Sequence, residues 1–495
     1  MSGATGPDEG AAAIEHLDVV VVGAGLSGID AGHHLQATAP WADYAILEAR
    51  DAIGGTWDLF RYPGIRSDSD MYTFGFPWRP WHGESAIATG PAIIDYLEGA
   101  ARDEGIDEHI RFGHRVVAAS WSSAPARWTL TVERVADGER SELTCGFLFA
   151  CTGYYRYDRG HTPAWDGVED YRGQLIHPQF WPDDFDADGK HVVIVGSGAT
   201  AVTLLPALAD TADHVTMLQR SPTYVAAVPP KSPVVRLLER VLPDRWADPA
   251  IRWFAALASQ GFFRFCQRFP TVARSMLRKG VERELPDGYD IDTHFTPEYD
   301  PWDQRLCADP DGAFFAAIRR GDATVITDTI ERFTDDGIRL ESGNELTAEV
   351  VVTATGLELL FLGGMEIVVD GDPVDLAERL TYRGMLLEGV PNMAMAVGYT
   401  NASWTLKCDL TCDYVARLLT EMRRRGAVQA TPRCTDDAVS PEPLLSLTAG
   451  YVQRSAHLFP RQGRAAPWRV HQSYLRDYRA VRAAPIVDDA LELTS

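Results

Sequence analysis

The chain has 495 residues, of which 45% are hydrophobic and 23% charged, so it is long enough for two or three domains and excludes fibrous and disordered classes. Its 46 basic and 70 acidic residues give a formal net charge of −24, which disfavours a nucleic-acid partner. No signal peptide and no apolar run of about 18 residues is visible, so we predict a cytoplasmic protein. Seven cysteines without a CxxC pair indicate neither a disulfide framework nor a zinc or thiol-redox site, and we predict no metal site.

A short β-branched segment at 17–22 is predicted to form a strand that leads through a glycine turn into a helix. The turn contains Gly23, Gly25 and Gly28, the spacing with which backbone and a helix N-terminus approach a dinucleotide pyrophosphate. Glu48 ends the next predicted strand, 20 residues beyond Gly28, where a carboxylate can accept ribose hydroxyl groups. This first glycine loop predicts an FAD site, and the alternative is an ordinary glycine-rich turn.

The same unit returns at 191–195, where a predicted strand runs into Gly196 and Gly198. Ala201 takes the place of the third glycine, which the fingerprint tolerates because that position serves helix–strand packing. Arg220 follows 19 residues later, and a cation there suits the 2′-phosphate of NADPH. This second glycine loop predicts an NADPH site, and the alternative for Arg220 is a solvated surface arginine.

Alternating strands and helices predict an α/β fold with two Rossmann-like dinucleotide-binding domains and an inserted helical region. Two further predicted strands, 147–153 and 350–356, end in glycine beneath the expected dinucleotides. The predicted domains are the FAD-binding domain at 1–158 with 360–495, the NADPH-binding domain at 159–227 with 301–359, and the helical insertion at 228–300.

Within the insertion, the stretch 252–279 has six basic and no acidic residues, which predicts a positive patch in an acidic protein. Its aromatic residues allow peripheral contact with an anionic membrane surface. We favour the alternative, in which they pack the helical region and line the route to the active site.

Two dinucleotide sites in one chain imply hydride transfer from NADPH to FAD. Disulfide reductases would pass the electrons to a cysteine pair, and Cys145 and Cys151 lie six residues apart, on one face of a continuous strand. Neither cysteine has a redox spacing, so we disfavour this alternative.

The segment 171–182 carries the most specific pattern in the chain. Tyr171, Gly173, His177 and Trp181 follow one another at offsets of two, four and four. This pattern resembles the fingerprint of the Baeyer–Villiger monooxygenases, with Tyr171 in place of the usual phenylalanine. The resemblance extends over almost the whole chain and is also carried by the segments 54–72, 301–307 and 398–407.

The resemblance implies that NADPH reduces FAD, that O2 adds to the flavin C4a, and that the resulting peroxide inserts oxygen beside a ketone carbonyl to give an ester or lactone. It makes Arg305 the catalytic cation, Asp68 its partner, and His177 an organiser of the hinge between domains. The alternatives are a surface ion pair for Arg305 and a helix N-cap for Asp68, with Asp70 as a near neighbour.

The expected cofactor-binding residues come from the two loops and the matching segments. Trp57 and Trp404 are expected to wall the flavin or substrate pocket, or else to be plain core. The full set for FAD and NADPH is Gly23, Gly25, Ser27, Gly28, Glu48, Gly55, Thr56, Trp57, Asp68, Tyr72, Gly196, Ser197, Gly198, Ala199, Thr200, Arg220, Ser221, Thr355 and Gly356.

Two other functions stay open. A protonated flavin peroxide is an electrophile, so oxidation of a sulfide or thioamide is expected as a side activity or as the alternative reaction. A non-catalytic flavin-nucleotide sensor or scaffold is the second alternative, and Asp68, Arg305 and His177 argue against it.

Overall fold

A computed structural model describes residues 14–304, 306–435, 439–445 and 449–495. Its helices are Leu26–Thr38, Thr56–Leu59, Met71–Phe74, Gly90–Asp103, Ala199–Ala209, Pro233–Val241, Asp244–Arg268, Pro270–Glu284, Ile291–His294, Ala313–Arg320, Trp404–Arg425, Gly450–Ser455 and Tyr474–Arg482. Within these ranges, no helix is long and apolar enough to cross a membrane.

The larger sheet has a parallel half built on the first strand of the chain. Its neighbouring strands, in spatial order, are Met393–Met395, Arg140–Ala150, His16–Val22, Tyr44–Leu47 and Ile110–Arg111. Val19 and Val21 point into the hydrophobic cluster on one face, and Val20 and Val22 into the cluster on the other. Both faces are covered, which is why this strand is apolar at successive positions rather than at alternate ones.

The long strand Arg140–Ala150 pairs on one side with His16–Val22. On its other side it pairs with two different strands, so the sheet has two branches there. Its first part pairs antiparallel with Arg127–Arg134, and its last residues pair parallel with Met393–Met395. The antiparallel branch continues through His114–Ser122 to Glu366–Val369 and Asp372–Pro373. A hairpin of Thr381–Tyr382 and Leu386–Leu387 joins the other branch.

The second sheet is fully parallel and carries the second glycine loop. Its strands lie in the order Ala323–Thr327, His214–Gln219, His191–Val195, Val350–Thr353 and Gln174–Ile176. A small antiparallel sheet of Ile330–Phe333, Gly337–Leu340 and Glu345–Thr347 packs against it through a shared hydrophobic cluster. Two parallel sheets, each with a glycine turn after its central strand, confirm the predicted fold class.

The predicted strands that end in glycine stop earlier than expected. The first is observed as Arg140–Ala150 and the second as Val350–Thr353. The residues beyond these ends, 151–153 and 354–356, line a cavity instead of continuing the ladder. The two sheets draw on chain segments inside the predicted domain ranges, whose boundaries stay a prediction.

The early end of the first strand corrects the expectation that Cys145 and Cys151 share one face. Cys145 packs in the cluster on one side of the sheet, while Cys151 packs in the cluster on the other side. Because Cys151 follows the last residue of the strand, the alternation of side chains no longer applies to it.

The helical insertion consists of Pro233–Val241, Asp244–Arg268, Pro270–Glu284 and Ile291–His294, which confirms the predicted change of structure. The positive patch predicted at 252–279 is reduced in the structure. Arg252 is buried and donates to backbone carbonyl groups of the segment 72–75. Arg274 and Arg278 pair with carboxylates from outside the stretch, namely Asp300, Glu282 and Asp292. Acidic residues that follow the stretch in the chain thus neutralise two of its six basic side chains, while Arg264, Arg268 and Lys279 have no carboxylate partner among the described residues.

Candidate active site

The first glycine loop adopts a backbone that other residues do not tolerate. Gly23 has a φ of +106°, and a Cβ added to it would lie 2.6 Å from the carbonyl oxygen of Cys151. A Cβ at Gly28 would lie 1.8 Å from the carbonyl oxygen of Gly23. The first glycine is therefore required by the turn, and the third by the contact between helix and turn.

The helix that follows this loop, Leu26–Thr38, begins without a hydrogen bond to a capping side chain of the described residues. Its N-cap residue is Gly25, which has no side chain to accept from the first N–H groups of the helix, and the first turn has no acidic residue. Because the first N–H groups of a helix have no partner within the helix, this N-terminus is suited to bind a phosphate.

Glu48 holds the first loop as well as lining its cavity. Its Oε2 accepts the N–H of Ala24 at 2.7 Å, and its Oε1 accepts the N–H of Arg50 at 2.9 Å. Burial raises the pKa of the carboxyl group, and these two backbone donors oppose the shift. Each oxygen retains lone pairs, so the carboxylate can still accept ribose hydroxyl groups.

The second loop repeats the turn with one difference. Gly196 has a φ of +143°, and a Cβ there would lie 2.2 Å from the carbonyl oxygen of Ala354. A Cβ at Gly198 would meet no heavy atom of the described chain within 4 Å. The helix Ala199–Ala209 again starts without a side-chain cap from the described residues and without an acidic first turn. Ala201 is fully buried, in agreement with a packing role for the third position.

Both loops open into one cavity of about 990 Å³. The two sheets therefore place two phosphate-binding turns around a shared space, at the carboxyl ends of their strands. The predicted residues that line it are Gly23, Gly25, Ser27, Glu48, Gly55, Thr56, Trp57, Asp68, Gly196, Ser197, Gly198, Ala199, Thr200, Arg220, Ser221, Thr355 and Gly356.

Three predicted residues stand outside the lining that the described residues define: Gly28, Tyr72 and His177. Gly28 instead packs against the carbonyl oxygen of Gly23, at the contact between helix and turn. Tyr72 packs on a small hydrophobic cluster of the helical insertion that contains Val235 and Ile251. Its ring thus contributes to the docking of the insertion rather than to the wall of the cavity.

The structure distinguishes the two neighbouring aspartates. Asp70 is the N-cap of the helix Met71–Phe74, where its carboxylate accepts the N–H of Thr73 at 2.9 Å. Asp68 is exposed and lines the cavity. Arg305 lies outside the described residues, and its chain neighbours Gln304 and Cys307 line the cavity.

His177 directly follows Gln174–Ile176, the edge strand of the second sheet. Its Nδ1 accepts the N–H of Gln179 at 3.2 Å, and its Nε2 lies 3.4 Å from the carbonyl oxygen of Gly356. A proton on Nε2 satisfies both contacts, and burial lowers the pKa of the imidazole, so the ring is held neutral. The ring also packs against Gly160, where an added Cβ would lie 1.9 Å from it.

Aromatic side chains close part of the cavity. Trp404 donates from Nε1 to Oγ of Ser27 at 3.1 Å, and its ring lies 4.8 Å from that of Tyr154. Trp57 makes an edge contact with Phe74 at 5.6 Å between ring centroids. Both tryptophans are half-buried and line the cavity, so they are wall residues rather than plain core.

Arg66 was missed by the sequence analysis, although it lies two residues before Asp68 in the same motif. It lines the cavity and donates to the carbonyl oxygen of Ala308 at 3.4 Å. Burial lowers the pKa of its guanidinium, while Asp309 and Asp68 oppose the shift. An arginine stays protonated under such a shift, so Arg66 brings a positive charge into the wall of the cavity.

The fold and the cavity define a protein in which two Rossmann-like units present their dinucleotide-binding turns to one site. The chain matches family models described as "NAD(P)-binding Rossmann-like domain" over residues 21–84 and "Flavin-binding monooxygenase-like" over residues 85–231. It is 52% identical over 478 residues to the FAD-containing monooxygenase EthA of Mycobacterium tuberculosis, covering 96% of this chain and 97% of that protein. The chain belongs to the family of FAD-containing monooxygenases.

Two solved structures share the whole fold. An oxidised steroid monooxygenase bound to NADP has a TM-score of 0.77 at 22% identity, and an open form of cyclohexanone monooxygenase has a TM-score of 0.73 at 19% identity. Each comparison covers 97% of this chain and 100% of the other. At this level of identity the likeness extends to the fold alone.

Proposed function

We propose that the protein is an FAD- and NADPH-dependent Baeyer–Villiger monooxygenase that converts ketones into esters or lactones. The observation that carries this proposal is the single cavity into which both glycine-loop helices open. The names of its relatives agree with it, since one is described as FAD-containing, one as bound to NADP, and one as acting on cyclohexanone.

We assign FAD to the first glycine loop and NADPH to the second. The cradles at Gly23 and Gly196 fit a dinucleotide, because each turn exposes backbone and a free helix N-terminus to the cavity. Glu48 suits the free ribose hydroxyl groups of FAD, while Arg220, which is exposed and lines the cavity, suits the 2′-phosphate of NADPH. The proposed domain ranges follow from this assignment.

When bound, FAD takes a hydride from NADPH and activates dioxygen for transfer to the substrate. The residues of the chain then have three tasks: to hold the substrate carbonyl, to stabilise the negative charge that develops on its oxygen, and to exclude water.

We assign the second task to Arg305, whose guanidinium stays protonated. Asp68 is its proposed partner, because its exposed carboxylate lines the same cavity as Gln304 and Cys307, described residues on either side of position 305. Arg66 adds a second positive charge to the same wall of the cavity.

Trp57, Trp404 and Tyr154 serve the third task by covering part of the cavity with aromatic surface. His177 acts as a positioning residue in this proposal. Its contacts with Gly160 and Gly356 link the edge strand of the second sheet to the end of the strand Val350–Thr353, beneath the expected nucleotide. A neutral ring with both nitrogens engaged is suited to a structural link and not to proton transfer.

The decisive experiment is product analysis with the purified holoenzyme, NADPH and O2 on a panel of ketones and one sulfide. We expect an ester or lactone from at least one ketone. Arg305→Ala should still bind FAD and yet lose about 10²–10³-fold in ester formation, the usual effect of removing one group that stabilises an oxyanion. Arg268→Ala is the matched control, because Arg268 lies on the exposed face of the helix Asp244–Arg268.

Oxidation of the sulfide alone would replace the ketone reaction by sulfur oxidation. Full ester yield from Arg305→Ala would refute the role of that arginine while leaving the reaction class intact. An absence of NADPH consumption with every substrate would favour the sensor or scaffold function.

A further inference from the structure

A second cavity of about 310 Å³ lies between the helical insertion and the C-terminal segment of the chain. One wall comes from the helix Asp244–Arg268, through Phe263 and Arg264, and the opposite wall comes from His471 and Arg476. Trp302 and Asn401 also line it. The predicted roles of the sequence motifs do not account for this cavity.

This second cavity lies back to back with the cofactor cavity. Trp302 lines the second cavity, and Gln304 lines the first. Likewise Asn401 lines the second cavity and Ala402 the first. Two short segments thus border both cavities, so the second cavity lies next to the proposed site of oxygen transfer.

Two arginines, Arg264 and Arg476, outnumber the one carboxylate, that of Asp303, among the described side chains that line the second cavity. Arg264 donates to Oγ of Ser473 at 3.5 Å, and neither Arg264 nor Arg476 has a carboxylate partner among the described residues. The nearby carboxylate of Asp477 is already occupied, because it accepts the hydroxyl of Tyr399 at 2.7 Å and the N–H of His471 at 3.3 Å.

Two buried polar atoms of the same cavity also lack a partner within the described residues. They are Nε1 of Trp302 and Oδ1 of Asn401. The Asn401 side chain is 7% exposed, and its Nδ2 donates to the carbonyl oxygen of Gln472 at 3.0 Å, which fixes the orientation of the amide. Buried groups that hydrogen-bond nothing are costly, so these two atoms point to polar occupants of the cavity. A carboxylate can accept the N–H of Trp302, whereas Oδ1 of Asn401 needs a donor, such as a water molecule bound beside the ligand.

We propose that this cavity binds the carboxylate end of the substrate, through Arg264 and Arg476. The aromatic rings of Phe263 and Trp302, whose centroids lie 5.7 Å apart, cover the adjoining apolar part of the molecule. The preferred substrates are then ketones that carry a carboxylate at the far end of an alkyl chain. This choice of substrate rests on the proposed function, whereas binding of a carboxylate in the cavity does not.

The binding test uses equilibrium dialysis of octanoate and octanamide against the FAD-loaded enzyme. Octanoate should bind more tightly than octanamide, and Arg264→Gln/Arg476→Gln should lower its affinity about tenfold. The two arginines are exposed, so each contributes a factor of only about three. Arg268→Gln, on the same helix but outside both cavities, is the matched control and should keep the affinity of the wild type.

Three outcomes would overturn the proposal: equal affinity for the two probes, unchanged octanoate affinity in the double variant, or displacement of octanoate by saturating NADP⁺. The last would place the anion at the nucleotide site. FAD content and the midpoint of thermal unfolding, measured on the same samples, show whether the double variant is folded. If it is not, the single variants, each with an expected threefold loss, decide the question.

The turnover test compares 7-oxooctanoate with 7-oxooctanamide as ketone substrates. The ratio of their kcat/KM values should favour the acid in the wild type and fall about tenfold in the double variant. If neither ketone is oxidised, the proposed function fails, and the dialysis result still decides whether the cavity binds a carboxylate.

Discussion

Gly198 and Gly25 offer a reciprocal test of how the two cofactors are assigned to the two loops. Each is the residue at which a glycine-loop helix begins, and each has an ordinary φ, −78° for Gly198 and −79° for Gly25. Alanine fits both backbones. A Cβ at Gly198 meets no heavy atom of the described residues within 4 Å, and one at Gly25 lies 3.6 Å from Cα of Gly55, an ordinary van der Waals contact.

Each alanine should therefore leave the cofactor-free protein folded. Replacing a glycine by alanine in an allowed backbone stabilises a protein by about 0.4–1 kcal/mol, because it restricts the unfolded chain. Both glycines line the cavity, however, so each added methyl group occupies space where a phosphate must approach the backbone. Loss of one hydrogen bond to a charged group costs about 1.5–3 kcal/mol, or roughly 10–150-fold in affinity.

We expect Gly198→Ala to retain its FAD and to raise the dissociation constant for NADPH by at least about tenfold. Gly25→Ala should instead lose FAD, as measured by the flavin absorbance of the purified protein. The assays are rapid-reaction titration of flavin reduction with NADPH, flavin content and thermal unfolding. Loss of FAD from Gly198→Ala, together with retained FAD and weaker NADPH binding in Gly25→Ala, would show that the two loops are assigned the wrong way round.

Two further predictions concern charged groups. Arg220→Gln should raise KM for NADPH about tenfold and leave KM for NADH unchanged, because the exposed arginine is assigned only to the 2′-phosphate. Equal effects on KM for the two nucleotides in steady-state assays would contradict that role. Asp30 is buried, and burial together with Asp409 raises its pKa to about 7. The folded protein therefore holds a proton that the unfolded chain releases near pH 4. The free energy of unfolding should fall as the pH rises from about 4 to about 7. Asp30→Asn keeps an oxygen for Nε1 of Trp78, which donates to Asp30 at 2.9 Å, and should flatten the decline in the free energy of unfolding measured between pH 5 and 8; a steeper decline would refute the assignment.

The sequence alone was sufficient for the features that depend on local spacing. The turn at Gly23–Gly28 and its repeat at 196–201 follow from strand, glycine and helix signals within about 15 residues, and the structure forms both as expected. The reason is steric, because a positive φ and a Cβ-free contact leave glycine as the residue that fits. The pattern at 171–182 likewise depends on local spacing and indicates the family without the fold.

Tertiary structure decided which side chains face the cavity and which are used in packing. Asp68 and Asp70 are two residues apart in a polar segment, yet one lines the cavity and the other caps a helix. Tyr72 turned out to pack on the helical insertion, whose helices start some 160 residues later in the chain. No local pattern carries the position of such a distant partner.

The basic stretch 252–279 shows the same limit for electrostatics. The stretch is basic in sequence, but Arg252 is a buried donor to the distant segment 72–75, and Arg274 and Arg278 pair with carboxylates beyond the stretch. The second cavity arises in the same way, since Arg264 and Arg476 are separated by more than 200 residues. Coulomb energy and hydrogen bonding depend on distance in space, so the fold determines which of these charges are neutralised and which are left to meet a ligand.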